Sequence, residues 1–501
     1  MSKKINPKQE IRKALKHCEN SQFTDAIIIL RMVLEKYPNQ LEALTVLGNV
    51  YLHQKDLELG IKYLEKSLSI NPQQNNALND IGYGYYELKD YQKAISFFEK
   101  SIALNPNDFN PFYNMGRSFA AIDQHFKAIS FYETAIKLSS NSSFIYKDIS
   151  ISLTKNGEFK KAIFYLQEAI KVDKGNHQLF SLFGEILNVI KDYKGSIMAF
   201  QKSLELNPDN PFVMTYIGNN LRLLNKHDEA KEILIKSIKL YPKQDKPYHY
   251  LGLIFLLEDN GKKARDNFLK ALSINPNFEE AKHFLSSLDS KPPKRASNIY
   301  VKELFDGYSE NFEEHLVEEL KYDAPKKLIN IIREQNKDSF GAVLDLGCGT
   351  GLLGEKIKPF CNRLVGVDLS DKMLSKAKKK GIYDELAHQD IKEFISSQQL
   401  QYNYYIFTDV FIYIGDLRDI FSIIKKRSEV GGSLVFTTED TEKNDYFLEK
   451  SGRFSHSKKY IECLSQEFGY QIIHSEIQNL RLENGKFIPG RYYLLEFGEQ
   501  Q

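Results

Sequence analysis

Across residues 7–290 the alternation of small, large and polar positions repeats every 34 residues, in blocks that begin at 7, 41, 75, 109, 143, 177, 211 and 245. Block position 20 is always small: Ala26, Gly60, Ala94, Ala128, Ala162, Ser196, Ala230 and Ala264. Position 8 reads Gly48, Gly82, Gly116, Ser150, Gly184, Gly218 and Gly252 from the second block on, and position 11 is large throughout, as at Tyr51, Tyr85 and Phe119. Such a block predicts two antiparallel helices that cross closely where both are small. Proline at Pro38, Pro72, Pro106, Pro208, Pro242 and Pro276 stops the second helix. The fourth and fifth blocks carry Ser140 and Lys174 there instead, which predicts looser turns. The first block lacks the glycine, as a capping repeat would. Residues 279–289, with Ala281, Phe284 and Leu288, predict a last helix over the final apolar face.

This register, unbroken over 272 residues, resembles tetratricopeptide repeats, which implies an α-solenoid of eight 34-residue repeats plus a capping helix over 7–290. A solenoid of this kind is a binding surface. The first-helix positions that would face its groove include Asn49, Asn79, Tyr83, Asn110, Arg117, Asn188, Asn219 and Arg222. Amides can pair with the main chain of an extended peptide whatever its sequence, so a peptide or protein partner is expected in the groove. The competing reading is a solvated helix face. Without a Lys/Arg stripe, nucleic acid is not expected there.

The Lys291-Pro292-Pro293-Lys294-Arg295 run interrupts helix and period together, so 291–297 reads as a linker and 298–501 as a second domain. Tyr300, Phe305, Tyr308 and Phe312 follow at helical spacing. From there strands and helices alternate, with strands at roughly 341–346, 363–368, 384–389, 403–409, 431–438, 470–477 and 491–497, as in a doubly wound α/β domain. The first strand runs into Gly347-Cys348-Gly349-Thr350-Gly351, a turn that glycine permits and that brings backbone N–H groups and a helix start close to a ligand. The second strand closes on Asp368, placed to accept from both hydroxyls of a ribose.

Composition narrows the field. A chain of 501 residues, 42% apolar and 27% charged, is that of a soluble globular protein of about three domains. The net charge of +2 offers no general attraction to nucleic acid or an anionic membrane. Cys18, Cys348, Cys361 and Cys463 lie far apart, so no metal site or disulfide framework is expected. No signal peptide or membrane span is visible, which predicts a cytoplasmic protein.

The glycine turn with Asp368 resembles motif I of class I S-adenosylmethionine-dependent methyltransferases. That resemblance implies a Rossmann-like domain with a seven-stranded sheet ending in an antiparallel strand, and S-adenosyl-L-methionine as cofactor. It implies cofactor contacts from Asp345, Gly347, Cys348, Gly349, Gly351, Asp368, Leu369, Asp390, Ile391 and Asp409. Asp390 would meet the adenine amine and Ile391 its ring. The Phe305-Asp306-Gly307-Tyr308 element is similar to a lid in small-molecule methyltransferases, with Tyr308 (also cofactor-binding) and His315 as its candidates; amphipathic core packing is the other reading. Together with that element, Asp409-Val410-Phe411-Ile412-Tyr413-Ile414-Gly415, Ser451-Gly452-Arg453-Phe454-Ser455-His456-Ser457 and Arg491-Tyr492-Tyr493 make the whole chain similar to one bacterial group of tetratricopeptide-repeat methyltransferases, for which no acceptor is implied.

Thr408-Asp409-Val410-Phe411 lacks the Pro-Pro pair of the amino-methylating DNA enzymes, which lowers nucleobase amines as acceptors. His456 is a candidate general base, Arg453 a candidate anion clamp and Tyr413 a candidate pocket donor. A surface or helix-capping role for His456 competes with the first of these. Three functions remain: a methyltransferase whose repeats recruit a protein partner or substrate, a repeat scaffold whose cofactor fold is catalytically silent, and a small-molecule methyltransferase whose repeats only localise it to an assembly.

Overall fold

The computed structural model describes residues 6–289, 293–308, 312–335, 339–397, 401–428, 432–483 and 485–497, apart from the side chains of 308, 314 and 315. The chain divides into two compact units, Met1–Asn220 and Leu221–Gln501.

In the first unit, helix pairs run from Pro7–Glu19 with Phe23–Lys36 to His177–Val189 with Tyr193–Leu206. Each pair begins on the first residue of its 34-residue block. The crossing is as tight as the small positions require. A Cβ on Gly116 would lie 2.5 Å from the Tyr132 ring, and one on Gly82 the same distance from Phe98. Position 8 is therefore small because position 24 of the same block is large.

A second regularity was not visible beforehand. Position 15 of every block is left-handed: Ser21, Lys55, Lys89, Asp123, Gly157, Lys191, Asn225 and Asp259, with φ between 58° and 79°. Around Lys89, the Lys89 N–H donates to the Tyr86 carbonyl at 2.9 Å and the Asp90 N–H to that of Tyr85 at 2.9 Å. This crossed pair satisfies the last carbonyls of the first helix in a Schellman cap. Gly157 signals it strongly by residue type, Asn225, Asp123 and Asp259 weakly, and the serine and lysines not at all. At Ser140 and Lys174, where the sequence predicts looser turns, the flanking helices His125–Leu138 and Ser143–Lys155, and Phe159–Val172 and His177–Val189, keep their block positions. Helix packing and the cap at position 15 hold the register, and proline is dispensable to it.

The second unit contains the helices His227–Leu240, Asp245–Leu257 and Gly261–Ile274. Helix Glu279–Ser286 then buries Ala281 and Phe284 against Phe268 and Leu253, as the sequence pattern predicts. A sheet follows: β1 Gly341–Leu346, β2 Cys361–Asp368, β3 Glu385–His388, β4 Tyr404–Phe407, β5 Ser433–Asp440, β6 Tyr446–Leu448, β7 Phe454–His456, β8 Tyr470–Glu483 and β9 Lys486–Phe497. Strands β3-β2-β1-β4-β5 are parallel, and β9 joins β5 antiparallel with β8 beyond it. These are the seven strands expected. The short β6 and β7 extend the carboxyl end of β5, adding a pair too brief for a sequence period to reveal. Apolar clusters cover both faces, which is why all four residues of β4 are buried and apolar. Among the described residues, no helix is long and apolar enough to cross a membrane.

Candidate functional site

The carboxyl ends of β1, β2 and β4 meet at one cavity of about 670 Å³, within the range that holds a cofactor-sized ligand. The loop leaving β1 lines it. Gly347, Gly349 and Gly351 have φ of 80°, 53° and 90°, which L side chains rarely adopt. A Cβ on Gly347 would lie 2.4 Å from Val410, whereas at Gly349 it would meet nothing nearer than Phe312 at 4.0 Å. The loop thus fits tightly beneath and opens above Gly349. The helix after it, Leu352–Ile357, has six residues, so the loop N–H groups rather than a long helix dipole face the cavity.

Asp368 ends β2 with both carboxylate oxygens held: Oδ2 accepts from the Gly349 N–H and Oδ1 from the Ser370 N–H, each at 2.8 Å. Each oxygen retains a second lone pair for a ligand hydroxyl. Burial raises its pKa. Asp345, 1% exposed, accepts from the Tyr383 hydroxyl at 2.7 Å, and burial pushes its carboxyl up to about 7. Cys348 is buried in the loop and its thiol is likewise pushed up by burial. Leu369 and Ile391 line the cavity; Gly351 does not. Asp390 lines it too, but its Oδ2 is paired with Arg295 at 2.6 Å. Burial opposes the Asp390 charge, but Arg295, with the Glu393 N–H and the Asn298 side chain, more than offsets it, so the pKa falls.

Arg295 belongs to a segment bonded directly to the loop after β4. The Ala296 N–H donates to the Tyr413 carbonyl and the Gly415 N–H to that of Lys294, both at 2.9 Å. Residue Asp306 in helix Asn298–Tyr308 accepts from the Ser370 hydroxyl at 2.6 Å, beside Asp368. The Phe305 ring packs against Phe312 and Tyr413, with centroids 6.0 and 5.4 Å apart. The side chains of Tyr308 and His315 lie outside the described residues.

Beyond Asp409 the cavity wall is charged. Asp409 has φ 61° and pairs through Oδ2 with Arg481 at 2.8 Å. Arg481, 3% exposed, also pairs with Glu439. Arg453 pairs with Glu483 at 2.5 Å and lies 3.5 Å from Glu439. Sequence reading missed Arg481 because a register shift in β8 between Asn479 and Arg481 turns it inward. Tyr413 lines the cavity.

Two expectations require correction. His456 is fully buried in β7, donates from Nε2 to the Gly415 carbonyl at 2.9 Å, and is not among the residues that line the cavity. Burial lowers its pKa to about 4. It is a neutral core histidine, neither base nor surface cap. Arg453 does line the cavity, but its guanidinium is already committed to Glu439 and Glu483, so it is no free anion clamp.

The groove residues divide. Asn49 and Asn110 are exposed, and Asn110 bonds its own cap residue Asp108 at 2.8 Å. Asn79 accepts from Asn114 at 3.0 Å, tying neighbouring repeats. Tyr83 lies under Lys55 at 6.0 Å, and Arg117 stacks on Tyr86 at 4.3 Å. Asn188 Oδ1 is buried without a partner among the described residues; Asn219 is half-buried. In the second unit, Arg222 lines the cavity.

Comparison with known proteins agrees with this anatomy. Residues 315–475 match a methyltransferase domain, and 39–107 and 217–244 match tetratricopeptide repeats. The chain carries both: repeats in its N-terminal part and a methyltransferase domain in its C-terminal part. An uncharacterized methyltransferase of Schizosaccharomyces pombe is 38% identical over 12% of this chain and 22% of its own length. A Geobacillus protein named only as a candidate methyltransferase is 26% identical over 34% of this chain and 74% of its own. A Saccharomyces cerevisiae protein provisionally named an S-adenosylmethionine-dependent methyltransferase is 32% identical over 14% of this chain and 25% of its own. Among solved structures, YrrB, described as having an unusual peptide-binding site, is 23% identical over 37% of this chain and 96% of its own (TM-score 0.33). The C-terminal part of a repeat protein from Cytophaga hutchinsonii is 19% identical over 47% of this chain and 96% of its own (TM-score 0.42).

Proposed function

We propose that this protein is an S-adenosylmethionine-dependent methyltransferase whose repeats recruit a protein partner or substrate. The observation that carries the reading is the left-handed glycine loop whose Gly349 N–H is locked to Asp368, facing open space at the carboxyl ends of parallel strands. The residues fit the cofactor. Asp368 would hold the ribose hydroxyls, the loop N–H groups would lie against the amino-acid end, and Ile391 would pack on the adenine. Asp390 would serve the adenine amine once it shares or releases Arg295. When bound, the group supplies an activated methyl; the protein's own part is to orient the acceptor and exclude water.

Recruitment by the repeats is supported by the composition of the cavity wall. Leu253, Leu257 and Phe284, from the last repeat and the helix after it, line the same cavity as Gly347 and Asp368. A partner held there would reach the site without leaving the repeats. The occupied carboxylate of Asp390 favours a second reading, a scaffold whose cofactor fold is silent.

Calorimetric titration of the full chain with S-adenosylmethionine and S-adenosylhomocysteine separates the two. Micromolar binding, weakened in Asp368→Ala by about 1–3 kcal/mol, is the expected result for loss of charged hydrogen bonds. Gly347→Arg should abolish it. A folded wild-type protein that binds neither compound would leave the scaffold reading standing.

A further inference from the structure

Three carboxylates, Asp409, Glu439 and Glu483, face two guanidiniums, Arg453 and Arg481, in the wall beyond the cofactor loop. One formal negative charge is left over, and its location can be traced. Both Glu483 oxygens bond Arg453, and Glu439 Oε1 lies against both arginines. Asp409 gives Oδ2 to Arg481, while its Oδ1 is buried and has no hydrogen-bond partner among the described residues. Thr408 Oγ1, on the neighbouring cavity-lining residue, is buried and unpartnered as well. A buried carboxylate oxygen left unpaired is costly, as is the left-handed backbone that holds it, and together they mark a site whose partner arrives from outside.

The unmet need selects the partner. Lys294, Arg295, Lys392, Lys450, Arg453 and Arg481 line the cavity, each paired with a carboxylate, and Arg222, which also lines it, lies over the Tyr250 ring at 5.8 Å. The two that lie in the wall with Asp409, Arg453 and Arg481, are each held between carboxylates and leave an anion no unshared cation there. A carboxylate or phosphate beside Asp409 would put like charges together in a desolvated wall. A hydroxyl would satisfy the hydrogen bond and leave the charge. An ammonium satisfies both.

We propose that the acceptor site of this protein, on the methyltransferase reading above, takes an amine bound as its ammonium against Asp409 Oδ1, to which it gives up one proton before the freed nitrogen lone pair can take a methyl. Tyr322, which lines the same region and stays protonated because burial raises its pKa, adds no competing charge. Asp409 accordingly serves the acceptor and not the cofactor.

The test uses the full chain saturated with S-adenosylhomocysteine and three probes of equal length: n-butylammonium, n-butanol and n-butyrate. Ligand-observed NMR titration should show the ammonium binding at least tenfold tighter than either competitor. Asp409→Asn, chosen because asparagine tolerates the left-handed backbone, should remove that preference and leave S-adenosylhomocysteine affinity within twofold. Equal binding of butanol or butyrate would overturn the assignment, and this comparison stands on the wild type whether or not the variant folds. Weakening of S-adenosylhomocysteine in Asp409→Asn as large as the loss of the amine would overturn it too, returning Asp409 to the cofactor. Failure of the wild type to bind S-adenosylhomocysteine at all sinks the methyltransferase reading and this one with it. Cofactor binding without amine preference sinks only the acceptor.

Discussion

Left-handed backbone occurs in both the repeats and the sheet domain, for opposite reasons. In the repeats it recurs at position 15 of all eight blocks, on Ser, Lys, Asp, Gly or Asn alike, and always closes a helix. In the sheet domain, Asp409 adopts it once, at the mouth of β4, on a side chain with an unpaired buried oxygen. Lys321 is the other non-glycine case there, and it is exposed. Strain that repeats with the chain's period is architecture, and each cap offsets its own cost with two hydrogen bonds. Strain that appears once, inside a cavity, has no such local return and points to a ligand.

The sharpest way to break this contrast is to remove Arg481. Arg481→Met would leave Asp409 and Glu439 buried without their main partner, a loss of about 3–5 kcal/mol for a broken buried pair. Urea unfolding of the full chain measures it. A loss below 1 kcal/mol would mean that the cluster is solvated and that its charge count decides nothing.

Acid titration tests the same region by a different route. Asp345 rises from 3.8 to about 7 in the folded state, because burial penalises its charge. The folded chain therefore binds the extra proton between those values, and ionisation costs stability as pH rises from 4 through 7. Asp345→Asn escapes that cost. Its stability relative to wild type should climb by about 4 kcal/mol across the full shift, at about 1.4 kcal/mol per pKa unit. His456 runs the other way, from 6.5 down to about 4, so its neutral burial is lost as pH falls through that range. Comparing variant with wild type at each pH cancels the histidine. A pH-independent difference would remove Asp345 as a buried acid.

In the repeats the corresponding test is steric. Gly116→Ala places a Cβ 2.5 Å from the Tyr132 ring and should cost about 1–3 kcal/mol, with cofactor affinity unchanged. An unchanged melting temperature would show that the ring can yield, and that packing does not fix the repeat register.

How much of this was legible depended on whether a residue's role was set locally. Small residues at positions 8 and 20 serve contacts fixed by the helix pair itself, so a 34-residue period was enough to assign them. The glycine turn and Asp368 were legible because a strand, a turn and a second strand close by specify their geometry. Arg481 was not, since its inward direction depends on a bulge in β8, and its partners Asp409 and Glu439 lie 72 and 42 residues away. His456 misled for a related reason. Its polar neighbours Ser455 and Ser457 are compatible with a surface position, but β7 adds to β5 and carries Ser455 and His456 inside, and Ser457, capping the helix that follows, is buried as well. Arg453 read as a free cation because its carboxylates come from β5 and the end of β8.

The smallest effect bears most directly on the opening contrast. Lys89→Gly relieves a left-handed lysine, worth about 1–2 kcal/mol, against a glycine entropy cost of about 0.5–1 kcal/mol. Its caps, from the backbone of residues 89 and 90, remain, so the variant should gain about 0.5–1 kcal/mol. Asp409→Gly relieves the same backbone strain but deletes the carboxylate that Arg481 holds, so no gain should appear. Paired urea melts of the two variants read the difference. If Asp409→Gly were stabilised as much as Lys89→Gly, the Asp409 carboxylate would contribute nothing to the folded state. Its left-handed turn would then be one more helix-cap-like accident of the chain, and the division between repeated strain and functional strain would fail where it matters.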